Sequence, residues 1–137
     1  MEIRQFVLDD YDQIYALWEE CGFKLGKSDS KDEIRKFIEI NSQTSLVGVL
    51  AGKLIACVLG GFDGRRGLVH HLCVHPDFQG KGYGSQILIR LEAAFREKGI
   101  VKMSFWVLAS NIGVVKFYDK LGYGLRHDIV TMSKDLT

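Results

Sequence analysis

The stretch Gln79-Gly80-Lys81-Gly82-Tyr83-Gly84 lies between a predicted apolar strand and a predicted amphipathic helix. Three glycines alternate with larger residues, so the backbone can turn tightly and approach a ligand without interference from Cβ atoms. The helix that follows would direct its first free N–H groups, and the positive end of its dipole, at the same place. The segment therefore predicts a binding site for an anion, most often a phosphate group.

Two common nucleotide-binding motifs do not fit this chain. The dinucleotide fingerprint G-x-G-x-x-G needs a glycine where Ser85 stands, and it normally lies near the start of a parallel, doubly wound fold. A Walker A loop could only end in Gly26-Lys27-Ser28, but Cys21 occupies the position of its first glycine. The phosphate ligand must therefore be identified from other features.

Length and composition predict one domain that covers residues 1–137. The chain has 137 residues, 47% of them hydrophobic, which is enough for a substantial core. Its formal net charge of +1 gives no reason to expect nucleic acid or an anionic membrane as a partner. Three cysteines at unpatterned spacing, with no signal-peptide pattern and no run of about twenty apolar residues, predict a reduced, cytoplasmic protein.

The order of predicted elements indicates a mixed sheet with helices on both faces, an α/β fold that is α+β by stricter usage. Mostly antiparallel strands come first, and a single strand–helix–strand crossover follows the hairpin around Ala51-Gly52-Lys53. The predicted strands are 3–7, 45–50, 54–62, 68–74, 101–108 and 129–133, and the predicted helices are 10–21, 30–38, 83–98 and 111–121. Ser30 with Glu33 forms a capping-box pattern at the start of the second helix, and Cys57, within a hydrophobic strand, is expected to be a packing residue.

The glycine-rich stretch resembles motif A of the GNAT acetyltransferases, Gln/Arg-x-x-Gly-x-Gly/Ala. The lead-in 72–78 is also similar to this family, as is a downstream element formed by Asn111, Phe117-Tyr118 and 121–123. The order of strands and helices on either side fits too, so the resemblance covers the whole chain. Within the family, the chain is similar to small bacterial members of the protein N-acetyltransferase-like group. Its turn 60–64 resembles a branch known as YpeA-like.

The resemblance implies acetyl-coenzyme A as the acyl donor. Backbone amides from Gly80 to Ser85 would hold its pyrophosphate, and the strand edge Leu72–Val74 would pair with the amides of its pantetheine arm. In the family this strand and the next one splay apart, which leaves that edge free. The residues assigned to the cofactor on this basis are Leu72, Cys73, Val74, Gln79, Gly80, Lys81, Gly82, Tyr83, Gly84, Ser85 and Asn111.

Acetyl transfer to an amine requires a donor for the thioester oxygen and a proton for the departing thiolate. We expect the backbone N–H of Cys73 or Val74 to bind the oxygen. Tyr118 is the expected general acid, because matching family members place this tyrosine beside the sulfur and a phenol with a pKa of about 10 is protonated at pH 7. Alternatively, Tyr118 packs as a helix aromatic next to Phe117. Asn111 would contact pantetheine, cap its helix, or do both.

The general base is where the chain departs from a common family pattern. Many relatives have a glutamate early in the strand before motif A, where this chain has Leu68 or Val69, with His70 and His71 following. A histidine with a pKa of about 6.5 can accept a proton at neutral pH. Strand alternation would direct the two side chains to opposite faces, so only one should reach the acceptor. The alternative is a pair of half-buried sheet histidines.

His71, Cys73 and His75 alternate along the same strand and could mimic metal ligands. No second cluster supplies a fourth ligand and Pro76 turns the chain immediately afterwards, so strand packing is preferred and no metal is expected. A metal-binding regulator is the weaker alternative.

The resemblance also indicates where the acceptor binds: the loop 23–29 and the turn 125–128. Both are mixed and slightly basic, which disfavours polyamines. We expect a primary amine: a protein N-terminus, a lysine or a small molecule. The alternative function is a catalytically silent acetyl-CoA-binding regulatory module, because the usual glutamate is missing. A homodimer formed through a sheet edge would be typical of the family.

Overall fold

Five strands form one sheet in the computed structural model, which describes residues 1–137. The first four pair antiparallel in the order of the sequence, and the fifth pairs in parallel with the fourth. The predicted mixed sheet with one crossover is therefore confirmed. The strands are β1 (Glu2–Gln5), β2 (Ser45–Leu50), β3 (Lys53–Phe62), β4 (Gly67–Val74) and β5 (Met103–Phe105), and the helices are α1 (Tyr11–Glu20), α2 (Lys31–Ile40), α3 (Tyr83–Glu97) and α4 (Val115–Lys120).

Neighbouring glycines of β3 show that helices cover both faces of the sheet. A Cβ atom built on Gly60 would lie 2.7 Å from Leu91 of α3, whereas one built on Gly61 would lie 3.2 Å from Phe37 of α2. Successive strand residues point to opposite faces. Helices α2 and α3 therefore pack on opposite sides of β3, as predicted.

The face that carries α1 and α2 holds a cluster of buried hydrophobic residues. Helix α1 buries residues at helical spacing, and Ser30 caps α2 by accepting the Glu33 N–H at 3.3 Å, as its sequence predicted. Cys57 is fully buried in this cluster, and burial raises the pKa of its thiol, so its predicted packing role is confirmed. Helix α3 buries Ile87, Leu88, Leu91 and Phe95. None of the helices has the length and apolar character needed to span a membrane.

The chain divides into two compact units, residues 1–106 and 107–137. The second contains a 3-10 turn, Ala109–Val114, followed by α4, so the predicted helix 111–121 is only partly helical. The predicted strand 129–133 is wrong: these residues form no strand, and Ile129, Val130 and Met132 are exposed. Apolar, β-branched residues favour a strand only where a neighbouring strand and a packing surface receive them. Strand β5 is likewise shorter than the predicted 101–108.

Candidate functional site

The C-terminal half of β4 has a free edge on the side of β5. Parallel pairing between the two strands covers only Gly67 to Val69, opposite Met103 to Phe105. Pairing with β3, on the other side, continues as far as Val74. Beyond Val69 the backbone groups that point away from β3 are therefore not used by β5. An extended chain containing amides can pair with such an edge.

Strand β4 contains a bulge at His71. Leu59 pairs with His70 and Cys57 pairs with Cys73, so two residues of β4 stand opposite a single residue of β3. His71 has a φ of +50°, in the left-handed region that residues with a Cβ atom rarely adopt. Such backbone conformations cluster at functional sites.

The bulge changes which amides face the free edge. The Gly67 N–H donates to the Lys102 carbonyl, beside β5, at 2.9 Å, whereas the His75 N–H donates to the Ile55 carbonyl of β3 at 2.7 Å. These two residues are eight apart, so in a regular strand both amides would point to the same side. The N–H groups of a strand alternate between its two sides, and that of His75 faces β3. The Cys73 N–H therefore also faces β3, whereas the N–H groups of Leu72 and Val74 face the free edge.

The prediction that His70 and His71 point to opposite faces is wrong. The His70 ring meets Phe37 of α2 edge-on at 5.8 Å. The His71 ring stacks on Phe23 at 5.0 Å and lies 4.8 Å from Trp18 of α1. Helices α1 and α2 contribute to the same core cluster. Both histidines lie on that face because the additional residue of the bulge interrupts the alternation.

Asp29, which the sequence analysis did not assign a role, contacts His71. Its Oδ1 lies 2.6 Å from His71 Nε2, and its Oδ2 accepts the Gly26 N–H at 2.9 Å. The Asp29 carbonyl accepts the Tyr11 hydroxyl at 2.6 Å, and its side chain is only 10% exposed. Asp29 lies in the loop expected to bind the acceptor. In the sequence, only the position of Asp29 in this loop could have suggested a functional role, because its partner His71 is 42 residues away.

His70 differs from His71 in its surroundings. Its ring lies between Phe37 and Trp106, edge-on to the latter at 6.2 Å, and is partly buried. Burial, with a smaller contribution from neighbouring His71, lowers the pKa of His70 below its usual value. The imidazole is therefore neutral at pH 7. It has a nitrogen lone pair that can accept a proton.

The glycine-rich turn leads directly into α3. Gly80 and Gly82 have φ values of +77° and +88°, and Gly82 is the N-cap of the helix. A Cβ atom at either position would meet nothing within 4 Å, so backbone conformation rather than space requires glycine here. The first helical bond runs from the Gln86 N–H to the Gly82 carbonyl at 3.1 Å. The amides of the first turn, from Tyr83, Gly84 and Ser85, thus have no partner within the helix.

Side chains connect this turn to the end of β4. The Gln79 Nε2 donates to the Val74 carbonyl at 2.9 Å. The ammonium groups of Lys53 and Lys81 lie 5.6 and 5.8 Å from the centre of the Phe78 ring. Lys81 of the glycine-rich turn and Lys53 of β3 therefore both lie near Phe78, and a positive charge close to this turn favours an anionic ligand.

The second unit holds Tyr118 and Asn111. The Tyr118 ring lies 5.1 Å from Phe117 and 6.3 Å from Tyr123, and burial raises the pKa of its phenol, which is protonated at pH 7. Asn111 lies at a kink within the 3-10 turn, and Val114 is the N-cap of α4. The predicted capping role of Asn111 is therefore wrong.

No group of three or more His, Cys, Asp or Glu side chains is arranged to hold a metal ion. His71 contacts Asp29, and His75 Nε2 lies 2.7 Å from Glu20 Oε2. The Nε2 atoms of His71 and His75 thus each contact a different carboxylate rather than a shared ligand site.

Comparisons with known proteins agree with this geometry. Residues 11–123 match the model of the acetyltransferase (GNAT) family. An acetyltransferase of Sodalis glossinidius is 32% identical over 99% of this chain and 96% of its own length.

Among solved structures, the PaiA N-acetyltransferase of Thermoplasma acidophilum in complex with coenzyme A has a similar fold. It superimposes with a TM-score of 0.81 at 19% identity, covering 91% of this chain and 90% of that one. The ribosomal-protein-S18-alanine N-acetyltransferase of Escherichia coli gives a TM-score of 0.72 at 20% identity, covering 88% and 76%.

Proposed function

This chain belongs to the acetyltransferase (GNAT) family, and we propose that it moves an acetyl group directly from acetyl-CoA to a primary amine. The free edge of β4, which leads into the glycine-rich turn at the start of α3, is the observation that supports this proposal most strongly. A coenzyme A thioester has an amide-rich pantetheine arm joined to a pyrophosphate. The free strand edge suits the arm, and the adjacent turn suits the phosphates.

The residues of the first unit fit the acyl donor in two places. The free edge offers the backbone N–H groups of Leu72 and Val74 to the acyl donor, and this favours Val74 over Cys73 as the amide for the thioester oxygen. The first-turn amides of α3, with Lys81 beside them, would hold the pyrophosphate. Acetyl-CoA supplies the acetyl group as an activated thioester.

His70 is the proposed base that removes a proton from the acceptor ammonium. Its imidazole is neutral at pH 7, and it directly follows the last residue that pairs with β5. His71 Nε2, in contrast, is already engaged by the Asp29 carboxylate. A neutral imidazole within reach of the amine accepts its proton directly or through one water.

Tyr118 is the proposed acid that protonates the departing thiolate. The family resemblance supports this role, together with the raised pKa that keeps the phenol protonated. Asn111 is the proposed additional contact to the pantetheine arm.

The acceptor is proposed to be an exposed α-amino group, a lysine or a small primary amine. The loop 23–29 bears Lys24 and Lys27, a charge balance that does not suit a polycationic acceptor. An α-amino group has a pKa of about 8 and needs less help from a base than a lysine does. The likeness to an enzyme named for ribosomal-protein alanine supports testing peptide N-termini first.

Titration calorimetry with acetyl-CoA, and with ADP as the control ligand, tests the donor. Selective binding in the micromolar range is expected, followed by acetyl transfer in a panel of peptides and small amines. Absence of acetyl-CoA binding would refute the proposal. Binding of acetyl-CoA without transfer to any amine would instead favour a silent acetyl-CoA-binding module.

A further inference from the structure

We infer that Asp29 is a positioning residue: through His71 it holds the left-handed backbone of the β4 bulge and so directs the amides of Leu72 and Val74 to the free edge. The inference rests on the proposed function, because the free edge is where the acyl donor would lie. Asp29 does not itself need to touch the donor or the acceptor.

His71 is held on three sides. Its ring stacks on Phe23 at 5.0 Å, lies 4.8 Å from Trp18, and places Nε2 2.6 Å from Asp29 Oδ1. A residue with a Cβ atom adopts a φ of +50° only when its surroundings compensate for the unfavourable conformation. The two aromatic contacts are not directional enough to fix the backbone. The carboxylate contact is directional, and it is the only polar one described for the His71 ring.

Asp29 is itself fixed at several points. Its second carboxylate oxygen accepts the Gly26 N–H, and its carbonyl accepts the Tyr11 hydroxyl from α1. A carboxylate with 10% of its side chain exposed, and with both oxygens engaged, has little freedom to follow a moving partner. The loop 23–29 and α1 therefore hold the bulge in place.

The position of the bulge determines which amides the edge presents. With the bulge, the amides of Leu72 and Val74 point away from β3, as the His75 bond to Ile55 requires. Without the bulge, the regular alternation that begins at Gly67 would direct the amides of His71 and Cys73 to the free edge instead. A change of one residue at this edge shifts every contact to the donor.

The first measurement compares affinities for acetyl-CoA and free CoA by calorimetry in the wild type and in Asp29→Ala. Free CoA reports the phosphate and pantetheine contacts, and the ratio of the two affinities reports contacts to the acetyl group. One hydrogen bond to the acetyl oxygen predicts a preference of about 2- to 10-fold in the wild type. Asp29→Ala should bring this ratio close to one.

Tyr11→Phe is the matched control. It removes the hydroxyl bond to the Asp29 carbonyl, and so loosens the same loop, but it leaves the carboxylate on His71. The preference for acetyl-CoA should persist in this variant. If Tyr11→Phe abolishes the preference as fully as Asp29→Ala does, the carboxylate has no specific role and the inference is overturned.

A background with His71→Gly separates backbone positioning from side-chain chemistry. Glycine adopts positive φ without strain, so removal of Asp29 should then leave the affinity ratio unchanged. If the ratio of acetyl-CoA to CoA affinity is lower in the double variant than in His71→Gly alone, the inference is contradicted.

The amide-to-Hα coupling constant of His71, measured by NMR, tests the conformation without any ligand. The left-handed and extended conformations give different couplings, and Asp29→Ala should move the value toward the extended range. An unchanged coupling overturns the inference even if coenzyme A is not bound. Failure of the wild type to bind acetyl-CoA, with the expected change in coupling, would refute only the proposed function.

Discussion

Replacing Gly82 with alanine tests the proposed anion-binding turn most directly. Gly82 is the N-cap of α3 with a φ of +88°, and an added Cβ would meet nothing within 4 Å. The cost of Gly82→Ala is therefore conformational rather than steric. A left-handed conformation costs a residue with a Cβ atom about 1–2 kcal/mol relative to glycine.

This cost must appear either in folding or in binding. If the turn keeps its conformation without ligand, the free energy of unfolding falls by about 1–2 kcal/mol, which lowers the Tm by about 3–7 °C for a chain of this size. If the free turn relaxes instead, the ligand must restore the conformation, and its affinity falls by about 5- to 30-fold. The two losses together should amount to about 1–2 kcal/mol.

Thermal unfolding and calorimetric titration with acetyl-CoA measure the two losses in the same preparation. Gly26→Ala is the matched control, because a Cβ added at Gly26 also has nothing within 4 Å, but its φ of −141° is one that alanine adopts readily. The control should change the Tm by little. Unchanged Tm and unchanged affinity in Gly82→Ala would refute the reasoning. Gly82→Val should be worse, because a β-branched residue is disfavoured further at this φ.

The two proposed catalytic side chains and the packing of β3 can be tested in the same way. His70→Gln should lower kcat by about 10²- to 10⁴-fold. Because burial lowers the pKa of His70, the wild-type rate should be constant near pH 7 and fall only below the usual histidine range; a fall beginning above pH 7 would contradict the assignment. Tyr118→Phe should lower turnover and retain acetyl-CoA affinity, and equal turnover in the variant would remove Tyr118 from the mechanism. Because burial raises the pKa of Tyr118, the wild type should lose activity only above pH of about 10. Gly60→Ala should lower the free energy of unfolding by about 1–3 kcal/mol in denaturant titrations, because its Cβ would lie 2.7 Å from both Leu91 and the Thr44 carbonyl. Gly61→Ala, 3.2 Å from the Phe37 side chain, should cost less, and the opposite order would contradict the described packing.

Local features were predicted where neighbouring residues determine them. The Ser30 cap of α2 and the buried face of α3 follow from residue type and helical spacing alone. The glycine-rich turn is equally local, since positive φ at Gly80 and Gly82 depends only on the missing Cβ atoms. The strand predicted at 129–133 failed because β propensity does not supply a pairing partner.

The sequence by itself determined the mixed character of the sheet, its single crossover and the glycine-rich turn before α3, because periodicity, capping and glycine placement act over a few residues. Only the tertiary structure decided how β4 presents its edge. The bulge at His71 depends on the register with β3 and on a contact with Asp29, 42 residues earlier. A single inserted residue reverses the direction of every following amide and side chain, and no local pattern in 68–74 records it.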